Sequence, residues 1–81
     1  TMNIGKRSRY RVRLIHRNVP GVMARVNQIF ASSEANVDAQ ILATVDEVGY
    51  VLTDISAGLG RAALEELSHL PETVRLIATP L

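Results

Sequence analysis

Two kinds of hydrophobic spacing alternate along this chain, and their order leaves few folds open. The run "YRVRLIH" sets Tyr10, Val12, Leu14 and His16 against Arg9, Arg11, Arg13 and Ile15, the period of a strand with one face buried. Val22, Met23, Val26, Ile29 and Phe30 then recur at helical spacing and form one apolar stripe, with Arg25, Asn27 and Gln28 turned away and Ser32 and Ser33 ending the helix. Pro20, its φ preset for a first helical turn, is expected to start that helix, with Asn18 or Val19 in the cap region. "NVDAQILATV" reads as a second strand, "EVG" as a turn and "YVLTDIS" as a third strand that completes a hairpin. "AGLG" breaks the chain, and "RAALEELSHL" puts Ala63, Leu64, Leu67 and Leu70 on one face of a second helix that Pro71 stops. "TVRLIATPL" supplies the last strand, with Pro80 at its end or edge.

The resulting order is strand, helix, strand, strand, helix, strand. Right-handed crossovers in two split βαβ units place both helices on one face of a four-stranded antiparallel sheet, the ferredoxin-like α+β arrangement. The other sheet face stays bare, and the second strand lies at a sheet edge where it can pair with a second copy. Residues 1–9 read as a linker or chain end and residues 10–81 as the domain, either free-standing or part of a longer protein. A chain of 81 residues buries only about 60–65% of the surface its unfolded form exposes, so contact with a partner is an expected source of stability.

The absence of cysteine removes disulfides, thiolate chemistry and the common structural zinc sites, and fits a cytoplasmic location. No apolar run approaches the roughly 18 residues of a membrane helix, so neither a membrane nor a metal is an expected partner. Arginines crowd the start of the chain while every Asp and Glu lies from Glu34 onward, a pattern that reads as a solvated linker and strand face more readily than as a nucleic-acid arm.

The stretch "HRNVPGV" carries the chemistry. A strand-to-helix connection exposes unpaired backbone N–H groups, and Gly21 lets a ligand, a carboxylate above all, approach them. His16 and Asn18 add side-chain hydrogen bonds; the plainer reading is a cap and a tight turn. Asn36, between the first helix and the second strand, reads as a left-handed helix C-cap, or as a group facing His16 and Asn18 of a neighbouring copy.

The pattern His, any residue, Asn, any residue, Pro-Gly-Val, with a later Asn before the second strand and "GYVLTDI" beyond it, resembles an ACT domain. It resembles in particular the serine-sensing C-terminal regulatory domains of D-3-phosphoglycerate dehydrogenases, from about Tyr10 to the C-terminus. The resemblance implies that His16, Asn18 and the loop Val19, Pro20, Gly21 and Val22 of one subunit, with Asn36 of the adjoining one, hold L-serine in a homodimer. It implies two such domains side by side in one eight-stranded sheet, and allosteric feedback on an NAD-dependent parent enzyme. The fragment itself needs no cofactor. Arg17 and Val19 depart from the family, standing where relatives often have an acidic and a basic residue.

Three rivals remain. Catalysis lacks a triad: His16 and His69 are the only histidines, His69 belongs at a helix end, and the adjacent Glu65 and Glu66 point in different directions. RNA binding on this fold needs central-strand aromatics, and the only tyrosines are Tyr10 and Tyr50. A structural dimerisation domain, or a sensor of another amino acid, would share all the packing and differ at the ligand residues.

Overall fold

The computed structural model describes residues 9–56 and 59–81; the expected linker before Arg9 and the first half of the "AGLG" break lie outside them. The elements are β1 (Arg9–Arg17), α1 (Val22–Ser32), β2 (Asn36–Val45), β3 (Val48–Ser56), α2 (Arg61–Ser68) and β4 (Thr73–Pro80), in a sheet of order β2-β3-β1-β4. All three strand pairs are antiparallel. This is the expected ferredoxin-like arrangement, with β2 at one edge and β4 at the other.

Alternation in β1 and β3 decides which sheet face the helices cover. Val12 and Leu14 on β1 and Val51 and Ile55 on β3 are buried against Val22, Val26, Ile29 and Phe30 of α1 and Ala63 and Leu67 of α2. The intervening residues point to the bare face, where Arg11 donates to both carboxylate oxygens of Asp54 at 2.7 and 2.9 Å. This pairing holds the Asp54 carboxyl below the usual carboxylate range and raises the guanidinium, in each case chiefly through the hydrogen bond. Thr53, fully buried, accepts from Gln40 Nε2 at 3.0 Å, and the same amide nitrogen reaches Asn27 Oδ1 at 3.1 Å, which ties β2 to α1.

Several boundaries differ from those the sequence suggests. Pro20 lies in the turn before α1: Gly21 is the N-cap, at φ 87 and ψ −8, and no side chain caps the helix. Asn18 is therefore no cap, because a left-handed glycine turns the chain into the helix instead. At the far end Glu34, with φ 64, takes the left-handed corner expected of Asn36, which opens β2. The hairpin turns on Asp46 and Glu47, with Asp46 at φ 54, so Val48 and Gly49 belong to β3 and not to a turn. Helix α2 ends at Ser68, and His69 closes it with an exposed ring whose Nδ1 donates to the Glu65 carbonyl at 2.8 Å.

Candidate functional site

The strand-to-helix loop hangs between two turns. The Arg17 N–H donates to the Glu72 carbonyl in the α2–β4 turn, and the Asn18 N–H donates to the Glu47 carbonyl in the β2–β3 turn, each at 2.8 Å. A third bond, Val19 N–H to the Arg17 carbonyl at 3.0 Å, tightens the chain between them. Asn18, Val19, Pro20 and Gly21 are all exposed, while Val22 plugs into the core as the first helical residue. An N-terminus without a side-chain cap leaves first-turn N–H groups of α1 to solvent or to an anionic ligand.

His16 continues the buried series of Val12 and Leu14, and β1 runs one residue past it. Its side chain is only 1% exposed. Nδ1 lies 2.9 Å from the Arg17 carbonyl, which can only accept, so this nitrogen carries the proton. In the neutral ring Nε2 is then an acceptor, and it is buried with no partner. Leaving such a group unsatisfied costs about 1–3 kcal/mol. Beside it β4 carries a bulge: Ile15 pairs with Arg75 but His16 with Thr73, so Val74 is the extra residue.

Asn36 sits at the other end of the sheet. It faces Ser56 on β3, whereas His16 faces Gly49, and those seven residues of strand span about 23 Å. One copy therefore does not bring His16 and Asn18 together with Asn36. Asn36 Nδ2 donates to Asp38 Oδ1 at 2.8 Å and to Ser56 Oγ at 3.2 Å, and Ser56 Oγ also donates to Asp38 at 3.2 Å. With its NH2 so engaged, the amide oxygen has no hydrogen-bond donor among the described residues. Asp38 is the extra residue of a second bulge, between Val37 and Ala39.

A further pair braces the loop. Arg25, in the second turn of α1, binds Glu72 at 2.6 Å, and this bond holds the Glu72 carboxyl below its ordinary range despite partial desolvation. Glu72 thus clamps the loop twice, by its backbone carbonyl on Arg17 and its side chain on α1. Arg25, Asp38, Ser56, Glu72 and Gly49 are residues that sequence reasoning missed. Only Gly49 left a local signal, and it read as part of the turn "EVG". Two shallow hollows between the helices, one near Gly60 and Ser33 and one near Arg25 and Leu70, touch none of the residues expected to bind a ligand.

Residues 12–75 match the family of AHAS small subunit-like ACT domains. The D-3-phosphoglycerate dehydrogenase of Dictyostelium discoideum is 35% identical over 68 residues, covering 84% of this chain and 16% of that protein. The Escherichia coli enzyme of the same name is 41% identical over 63 residues, covering 75% of this chain and 15% of its own length. The chain thus spans about one-sixth of the length of these relatives. Among solved structures, the ACT domain of GTP pyrophosphokinase from Chlorobium tepidum superposes with a TM-score of 0.79 at 9% identity, covering 91% of this chain and all of that one, a likeness of fold alone. A homoserine dehydrogenase from Thiobacillus denitrificans gives 0.74 at 25% identity over 93% of this chain and 17% of its own.

Proposed function

The chain belongs to the ACT-domain family, and on that premise we propose that it is an amino-acid-sensing regulatory domain whose effector, L-serine, is held between two copies. The observation that carries this reading is the buried, unpartnered Nε2 of His16 beside an uncapped helix start. The open groups sort by chemistry. His16 Nε2 and Asn36 Oδ1 are acceptors and call for a hydroxyl and an ammonium, while the N-terminus of α1 calls for a carboxylate. A hydroxyl-bearing zwitterion supplies all three, and the strand edge of β2, paired with its copy, is what brings Asn36 of one subunit toward His16 and Asn18 of the other.

Such a receptor regulates by differential affinity. Nε2 is buried, so the effector engages a conformation in which the surroundings of His16 have opened, and its binding energy favours that conformation. In a parent enzyme of the D-3-phosphoglycerate dehydrogenase type, with its own NAD site, the altered seam between regulatory domains would bias the catalytic part and give feedback on serine synthesis. In this reading Arg17 and Val19, the two departures from the family, are exposed and leave the ligand-facing groups unchanged.

Calorimetric titration tests the assignment. L-Serine is expected to bind at least tenfold more tightly than L-alanine, which leaves the Nε2 acceptor empty, and glycine is expected to be weaker still. Equal affinity for serine and alanine would reject the hydroxyl-to-His16 contact. No heat and no thermal shift with any amino acid would favour a purely structural dimerisation domain.

A further inference from the structure

Gly49 sits directly across from His16 in the β1–β3 register, in the interior of a ladder that runs from Arg17↔Val48 to Arg9↔Ser56. Glycine weakens a strand interior, by roughly 0.5–1 kcal/mol on helix and strand measures, because it adds backbone freedom and no packing. Its φ here is not in the left-handed region, which among the glycines whose backbone is described belongs to Gly21 alone. Backbone conformation therefore gives no reason for it. Space does. A Cβ on Gly49 would stand 2.6 Å from His16 Nε2 and 3.0 Å from Nδ1, and closer still to Cε1. The imidazole occupies the space that a side chain at position 49 would need.

We infer that Gly49 is the positioning residue of the receptor: it provides the only room in which His16 can stay inside the fold with Nδ1 on the Arg17 carbonyl and Nε2 held as a free acceptor. Two constraints then act on the buried ring: the Arg17 carbonyl sets the tautomer, and the missing side chain of Gly49 leaves the ring its space. Any side chain at position 49 has to expel or tilt the imidazole, since the contacting atoms belong to a rigid ring beside backbone and cannot swing aside as a flexible tip would. This inference rests on the effector reading above for its functional consequence, but its structural content stands apart.

The experiment is a double-mutant cycle on the full chain, with Gly49→Ala, His16→Ala and both together, followed by thermal unfolding, ring ¹⁵N NMR and serine titration. Gly49→Ala is expected to lower the melting temperature by several degrees in the presence of His16 and by about none in the His16→Ala background, where the vacated ring leaves room for the methyl group. Its ring ¹⁵N shifts are expected to lose the Nδ1–H, bare Nε2 signature, and its serine affinity to fall at least tenfold, as far as that of His16→Ala. Equal destabilisation in both backgrounds, or unchanged ring shifts, would overturn the positioning role. If Gly49→Ala does not fold, the double variant decides: unfolding there as well overturns the inference, and recovery supports it. Absence of serine binding by the unaltered chain would sink the effector reading while leaving the thermal coupling to be judged on its own.

Discussion

Replacing Ile41 with Asp is the most direct probe of a shared site. Ile41 lies midway along β2, the edge strand, and keeps 61% of its surface in water, with Leu42 at 50% and Val45 at 70% beside it. Full burial of an isoleucine side chain is worth about 1.5–3 kcal/mol, so covering the exposed part of Ile41 stabilises a pairing by about 1–2 kcal/mol. A two-fold seam buries it twice, giving about 2–4 kcal/mol per dimer, or roughly 30- to 700-fold in the dimer dissociation constant. The two introduced carboxylates add repulsion. Because the side chain is exposed in one copy, the folding of the monomer at high dilution should change by less than about 0.5 kcal/mol. Sedimentation equilibrium measures the dimer constant, and serine titration at the same protein concentrations measures the effector. An unchanged dimer constant would refute pairing through β2. A monomeric variant that still bound serine at full strength would refute the shared pocket.

Other perturbations test other links. Asn36→Ala removes the amide acceptor and is expected to weaken serine binding about 3- to 10-fold in calorimetry without changing the melting temperature beyond a degree or two. Leu67→Ala, at a site with no exposed surface, is expected to cost about 2–5 kcal/mol in urea unfolding. Asp54 is held below its unfolded value, so its contribution is present above about pH 4 and is lost as the pH falls through the depressed folded value. Asp54→Asn should therefore flatten the fall in stability below about pH 4, read by denaturant unfolding from pH 6 to 2; an unaltered slope would show that the Arg11 pair is not linked to folding.

What could be read in the sequence was whatever repeats locally. The alternation Val12, Leu14, His16 placed the imidazole on the covered face, and the stripe from Val22 to Phe30 placed α1 above it. The hairpin and the exposed edge followed from β-branched runs on either side of a turn. What stayed hidden depends on partners far along the chain. Asp38 and Ser56 orient Asn36 from across a bulge, and Glu72 reaches back to both Arg17 and Arg25. The helix start was misplaced because Pro20 and Gly21 each offer a reason to begin a helix there. The left-handed glycine wins by reversing the chain one residue later than the proline would. Glu34 took the corner assigned to Asn36 because Asn36 is engaged in the ladder with Ser56.

The separation of His16 from Asn36 by the length of β3 has a consequence for dose–response. In the proposed shared pocket half of the contacts arrive with another chain, so effector occupancy is linked to dimer formation. On that reading its midpoint would slide with the abundance of the protein, and a diluted sample would need more effector than a concentrated one. Potency measured at one dilution would describe that dilution and no other.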